Sequence, residues 1–426
     1  MKRIGVISVH ACPLAALGGK ETGGMNVYVR EVARHLGQLG LEVDVFTRSQ
    51  TPDVPTVVAL GPGARVLHIE AGPRRPVPPA EVVADLDQFT DGVVAFQRCT
   101  GAEYALFHGH YWLSGLVAVE LASRFHGVPV VQMFHTLGVV KNALADSPSD
   151  WVPQVRLDAE ARVAALADRI VAATPLERAE LAWYCGADVD RVRTIPCGVD
   201  VGLFSPGSAA AARAWLGLDA QWVLLFVGRP APIKGLEVLL QALARLKADG
   251  FGRADLRLVI VGGDPDVGRD DERARFRALA DALGVSAWVE FRGPEPQPTL
   301  PEYYRAADLC LVPSHHESFG MAALEAMACG AAVVASRVGG LATTIQDGVT
   351  GVLVPPRDEA ALASAIASLL ADASRRRTLG RLAARWAQSF AWPSVARALI
   401  DLYDELVPDL RRTPPVPVSV NCSMAL

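Results

Sequence analysis

The chain has 426 residues, 51% of them hydrophobic and 20% charged, with 41 Lys and Arg against 46 Asp and Glu. At roughly 100–200 residues per domain, that length supports two domains with full cores. A net charge of −5, with neither half basic, removes the electrostatic pull toward nucleic acid or an anionic membrane, so any anionic ligand must be held by a local cluster. The seven cysteines (Cys12, Cys99, Cys185, Cys197, Cys310, Cys329, Cys422) are dispersed and form no C-x-x-C pair. That pattern predicts reduced thiols and a cytoplasmic protein rather than a disulfide frame. The apolar run Ile4–Val9 is too short for a secretory core, and no long uncharged apolar stretch predicts a transmembrane helix.

In chain order, the apolar runs alternate with amphipathic segments, the pattern of parallel sheets covered by helices. The first half reads as strand Ile4–Val9, helix Val27–Leu39, strand Val43–Thr47, strand Ala105–His108, helix Ser114–Phe125, strand Val128–Phe134 and strand Arg169–Ala173. A Gly- and Pro-rich stretch from Ile195 to Pro206 reads as a linker. Beyond it come strands Trp222–Val227, Leu256–Val261, Trp288–Phe291, Leu309–Val312, Ala332–Ala335 and Val352–Val354, with helices Leu236–Lys247 and Asp271–Leu283 between them. The division predicted is an N-terminal domain over residues 1–200, a C-terminal domain over 201–389, and a disordered tail over 407–426 with Pro414, Pro415 and Pro417. Two such α/β domains are expected to set their strand ends around one cleft, where doubly wound folds bind ligands.

Three constellations can carry chemistry. In the first, a strand ends at Gly228 and is followed by Arg229, Lys234 and Gly235 at a helix start. Two cations beside free backbone N–H groups suit a diphosphate, though two solvated loop charges would give the same pattern. In the second, Pro313-Ser314-His315-His316-Glu317-Ser318-Phe319-Gly320 leads into helix Met321–Ala328, which carries Glu325 in an otherwise apolar stretch. Carboxylates at this spacing suit the vicinal diols of ribose and hexoses. The third is the glycine-rich loop Gly18-Gly19-Lys20-Glu21-Thr22-Gly23-Gly24-Met25-Asn26. It is neither a Walker A loop nor a G-x-G-x-x-G, which disfavours an NAD enzyme. Asp264-Pro265-Asp266 has a metal-binding form but sits in an ordinary Asp-Pro turn. The pairs His108/His110 and His315/His316 lack a third ligand at zinc-like spacing, so hydrogen bonding to core or substrate is the better reading. Tyr111-Trp112 reads first as packing.

Taken together, Gly23-Gly24-Met25-Asn26, His110–Gly115, Phe134–Leu137, Pro196–Asp200, Gly228–Gly235 and Glu317–Glu325 resemble the motifs of family-four retaining glycosyltransferases of GT-B fold. Within that family the likeness is greatest to D-inositol-3-phosphate glycosyltransferases of mycothiol biosynthesis, then to bacterial sucrose-phosphate synthases, and it runs from residue 1 to about 405. The resemblance implies two Rossmann-like domains, with the last helix (about 390–406) returning to the N-terminal one. It implies that Arg229 and Lys234 bind the donor diphosphate, Glu325 the ribose, and Glu317 with Ser318, Phe319 and Gly320 the donor hexose. His135 would touch the sugar near the scissile bond, Gly24 would close the phosphate site, and Gly263 and Arg292 would fall on the donor side. Asn26, Tyr111, Thr136 and Arg156 would face the acceptor, with Arg156 gripping a phosphate. Arg74 or Arg75 would be the second cation, because Pro79 stands where these enzymes carry a Lys. The first loop also reads His10-Ala11-Cys12-Pro13 where a Ser is usual before the Pro. Both departures lie on the acceptor side.

The implied activity is retaining transfer of a glucose- or GlcNAc-type hexose from a nucleotide sugar, UDP-linked, to a small polar phosphorylated cyclitol or sugar. No cofactor or metal is required, and no nucleic acid or membrane partner is expected; a homodimer is compatible. A natural-product transferase acting on an unphosphorylated cyclitol or a thiol is the alternative. A hydrolytic epimerase would not need Tyr111, Thr136 and Arg156, and a non-catalytic binding module would not keep Arg229, Lys234, Glu317 and Glu325 together.

Overall fold

The computed structural model describes residues 3–15, 23–145, 147–251, 256–263, 271–408 and 410. Contacts divide the chain into one unit of residues 24–196 with the N-terminal strand and the segment from Trp392 onward, and another comprising Cys197–Ala391.

In the first unit the strands are β1 (Arg3–Ile7), β2 (Val43–Arg48), β3 (Val57–Gly61), β4 (Ala64–Ile69), β5 (Tyr104–His110), β6 (Val130–Met133), β7 (Arg169–Ala172) and β8 (Val192–Thr194). Their spatial order is β3-β4-β2-β1-β5-β6-β7-β8. All neighbours are parallel except β3 with β4, an antiparallel edge hairpin. Every residue of β1, β2 and β5 is buried, as expected for central strands covered on both faces by helices. The edge strand β3 instead alternates, with Val57, Ala59 and Gly61 exposed and Val58 and Leu60 half-buried. Helix Trp392–Leu406 belongs to this unit. Its buried Trp392 meets the ring of Tyr28 at 5.6 Å, and its Glu405 lies 3.2 Å from both Arg169 and Arg193.

The second unit holds β9 (Trp222–Val227), β10 (Leu256–Val261), β11 (Val289–Gly293), β12 (Leu309–Val312), β13 (Ala332–Ser336) and β14 (Val352–Val354) in the order β11-β10-β9-β12-β13-β14, all parallel. Both sheets are therefore doubly wound, and each has one place where the winding direction reverses: between β1 and β5 in the first, between β9 and β12 in the second. Such reversals leave a crevice at the carboxyl ends of the two strands, because their following connections leave in opposite directions. In the second sheet the crevice is widened. Pairing of β9 with β12 covers only Leu224 with Leu309 and Leu225 with Cys310, although both strands run two residues further.

Among the described residues Cys12, Cys185, Cys197, Cys310 and Cys329 are free thiols. Among the described residues no helix is long and apolar enough to cross a membrane. Residues 18–22 of the glycine-rich loop, the Asp264-Pro265-Asp266 turn, Cys422 and most of the proline-bearing tail lie outside the described residues.

Candidate active site

In the second unit the loops after β9 and β12 meet at the reversal point. The His315 amide donates to the Ile233 carbonyl at 2.8 Å. Gly235 has φ 67°, and a Cβ on it would lie 2.0 Å from the Pro313 carbonyl oxygen, so only glycine lets the two loops touch. That contact brings Lys234 to Glu317: Nζ donates to Oε2 at 2.6 Å, with the side chains 29% and 18% exposed. His315 is tied in turn to Glu237, with Nε2 and Oε1 2.5 Å apart. Ser318, Phe319 and Gly320 are fixed from behind by Gly340, whose amide donates to the Glu317 carbonyl at 2.7 Å and whose added Cβ would lie 2.4 Å from Ser318 O. Gly320 itself takes φ 95° and opens helix Met321–Ala328. Glu325, one turn in, is buried and accepts a 2.8 Å hydrogen bond from the Tyr304 hydroxyl. Burial pushes its carboxyl up to about 7, with the Tyr304 and Gln297 side chains pulling the other way. Arg229 is exposed on the turn after β9. Arg292 is instead engaged within the fold, donating to Glu290 Oε1 at 2.5 Å and to the Leu216 carbonyl at 2.8 Å. Gly263 follows Gly262, at which an added Cβ would fall 2.3 Å from Gly228 O; the ends of β9 and β10 approach backbone to backbone.

The first unit repeats this plan at its own reversal point. The β1 end carries His10, the β5 end carries Tyr111, and the two rings lie 4.4 Å apart. Tyr111 (φ 76°) and His135 (φ 63°) both take the left-handed backbone conformation, directly after β5 and β6. For non-glycine residues this costs about 1–3 kcal/mol each, and such strain concentrates where side chains must be aimed. Arg156 is 3% exposed and makes four hydrogen bonds: Nε to Glu160 Oε1 (2.7 Å), Nη1 to the Tyr111 hydroxyl (2.8 Å), and Nη2 to Thr136 O (2.9 Å) and Oγ1 (3.2 Å). The second Glu160 oxygen accepts from the Gly138 amide at 2.8 Å. The Arg156–Glu160 pair is therefore buried, not a surface ion pair. His10 is held down to about 3, first by burial and then by Arg156, Lys141 and Arg48. Asn26 is buried and donates to the Cys12 carbonyl at 2.8 Å, and Gly24, the first residue of helix Gly24–Gln38, is exposed. Arg74 pairs with Glu70, while Arg75 is exposed and its carbonyl accepts from Arg48 at 2.8 Å.

Two family models cover these two halves: "Glycosyl transferase 4-like domain" matches residues 23–198 and "Glycosyl transferases group 1" matches residues 211–386. The chain is 43% identical over 413 residues to the D-inositol 3-phosphate glycosyltransferase 2 of Catenulispora acidiphila, covering 96% of each chain. It belongs to the family-four glycosyltransferases of GT-B fold. The D-inositol 3-phosphate glycosyltransferase of Acidothermus cellulolyticus is also 43% identical, over 96% of this chain and 92% of that one. Among solved structures, the sucrose-phosphate synthase of Thermosynechococcus elongatus superimposes with a TM-score of 0.87 at 37% identity, covering 95% of this chain and 99% of that one.

For this family-four glycosyltransferase, sequence reasoning missed several supporting residues. Glu160 was visible only as an acidic neighbour of Arg156, although the i, i+4 spacing on helix Gln154–Leu166 is a pairing signal. Gly339-Gly340 is a turn signal far from the motifs it buttresses. Tyr304, Lys141 and Arg48 carry no local signal, because only the folded chain brings them to the strand ends.

Proposed function

We propose that the enzyme transfers a hexose from a nucleoside diphosphate sugar, with retention of configuration, to a small anionic acceptor of the phosphorylated cyclitol or sugar class. The observation that carries the donor side is the Lys234–Glu317 pair in the β9/β12 crevice, half-open and 2.6 Å apart. A donor diphosphate takes up the ammonium, and the freed carboxylate accepts from hexose hydroxyls. Arg229 joins Lys234 on the phosphates, and Glu325 accepts from the ribose diol. As the anomeric bond to the diphosphate breaks, negative charge grows on the leaving oxygen, where cations stabilise it most. The acceptor oxygen bonds to the anomeric carbon on the same face, and its proton passes to the departing phosphate. His135 touches the sugar near that bond.

The acceptor is read as anionic because Arg156, Lys141 and Arg48 all act electrostatically on His10 at the end of the first strand. The naming of the 43%-identical relatives supports the same class. Incubation with UDP-, GDP- and ADP-linked glucose and GlcNAc, each with phosphorylated and dephosphorylated cyclitols, tests the whole reading. An α-linked product from an α-linked donor, with the phosphorylated acceptor preferred, is expected; an inverted anomer or a preference for the dephosphorylated acceptor overturns it.

A further inference from the structure

Three histidines at the carboxyl ends of β5 and β6 form a connected series. His108 Nδ1 lies 2.7 Å from the Tyr403 hydroxyl on helix Trp392–Leu406. The His108 and His110 rings are tilted by 35° with centroids 4.3 Å apart, and His110 Nδ1 lies 3.0 Å from His135 Nε2. His108 and His110 are fully buried, and the Nε2 atom of each has no hydrogen-bond partner. His135 is half-buried. Burial holds His108 and His135 near 3 and His110 well below the usual imidazole range, so all three rings are neutral and each carries one proton.

Where that proton sits follows from the orphaned atoms. If His110 carried it on Nε2, a buried N–H would have nothing to donate to. If His110 carries it on Nδ1, the orphan is a lone pair, which buried sites tolerate better than an orphaned donor. We infer that His110 is a positioning residue whose Nδ1–H donates to His135 Nε2, fixing His135 as the Nδ1–H tautomer with that N–H directed at the reacting sugar. Tyr28 stands edge-on to both His110 and His135, at 5.6 and 5.2 Å, and limits rotation of the pair. His135 then acts as a hydrogen-bond donor, not as a base, toward a sugar or leaving-group oxygen. The strained backbone at His135 is what turns the ring so that one nitrogen meets His110 and the other is left for substrate. This assignment rests on the proposed contact between His135 and the donor sugar.

The test is long-range ¹H–¹⁵N NMR of the full-length enzyme labelled in histidine, with His135 assigned by comparison with His135→Ala. The expected result is Nδ1–H for His135 across neutral pH; a resonance pattern of Nε2–H overturns the inference without any further variant. His110→Leu should move His135 toward the Nε2–H form and lower kcat roughly tenfold or more with donor KM little changed. His110→Asn, whose amide can donate from nearly the same place as Nδ1, should restore most of the rate. Equal loss in both variants, or none in His110→Leu, contradicts the positioning role. A His135→Ala enzyme with wild-type turnover would overturn the donor contact and this inference together. An impaired His135→Ala enzyme with Nε2–H in the wild type sinks only the tautomer assignment.

Discussion

Two ion pairs of nearly equal length sit at the two reversal points in opposite surroundings. Lys234–Glu317 spans 2.6 Å with side chains 29% and 18% exposed; Arg156–Glu160 spans 2.7 Å with side chains 3% and 2% exposed. A partly exposed pair is held less firmly than a buried one, so a ligand can replace either partner at smaller cost. A buried pair cannot be separated without leaving one charge stranded in a medium that solvates it poorly. On the proposed function, Lys234 would change partners when donor binds, while Arg156 would keep Glu160. Of the five N–H groups of a guanidinium, four are spoken for in Arg156, and its remaining Nη1–H together with the held Tyr111 hydroxyl and Thr136 can meet a ligand.

The largest expected effect comes from breaking the buried pair. Glu160→Ala should lower the unfolding free energy by about 3–5 kcal/mol in urea or guanidinium titration. A loss below about 1 kcal/mol would put the pair in the same class as an exposed one and erase the contrast. Next, Lys234→Ala should cost about 3 kcal/mol at the transition state, read as a kcat lower by on the order of a hundredfold, while stability changes by less than about 1 kcal/mol. Turnover within about threefold of wild type would remove Lys234 from the diphosphate.

A smaller change separates charge from geometry on the acceptor side. Arg156→Lys keeps a cation but loses the fork that reaches both Tyr111 and Thr136, so acceptor KM should rise about tenfold with donor KM unchanged. An unchanged acceptor KM would mean that charge alone suffices there. The smallest effect is expected for pH. The Glu325 carboxyl stands near 7 in the folded enzyme against 4.5 for the ordinary group, so between those values the folded state holds a proton that the unfolded chain has released. Its contribution to stability therefore falls as pH rises through that window. Only the ionised carboxylate accepts from both ribose hydroxyls, so donor KM should fall modestly as pH rises through about 7. Glu325→Gln should flatten both profiles, and a mutant that keeps the wild-type pH dependence of donor KM would assign that titration to another group.

Much of the second sheet was legible in the sequence. Trp222–Val227, Leu256–Val261, Leu309–Val312 and Val352–Val354 appear with the bounds that their apolar runs suggest. Buried central strands are continuous hydrophobic stretches cut off by glycine or a polar turn, so both ends are marked. The first sheet was read less completely. Val57–Gly61 and Ala64–Ile69 form an edge hairpin without a strong alternation, and Val192–Thr194 is too short to register against its surroundings. Helix Leu86–Thr100 has no counterpart among the expected elements; it follows a run of prolines that masks its start. At the site, motif residues were visible because glycine and charge stand out locally. The residues that fix them were not, since Gly340 lies twenty residues from Gly320, and Tyr403 lies at the far end of the chain from His108.

That last separation has a consequence for how the protein is made. The N-terminal unit emerges from the ribosome long before helix Trp392–Leu406 exists, so its sheet can form while one of its covering helices is still missing. Until Tyr403 arrives, His108 Nδ1 has no tyrosine to meet, and Tyr28 lacks the ring of Trp392. The half of the enzyme synthesised first is thus the half completed last, and a chain cut short anywhere before residue 392 releases a first unit with an exposed apolar surface. Quality control acting on such a surface would discard truncated enzyme without needing to inspect its active site.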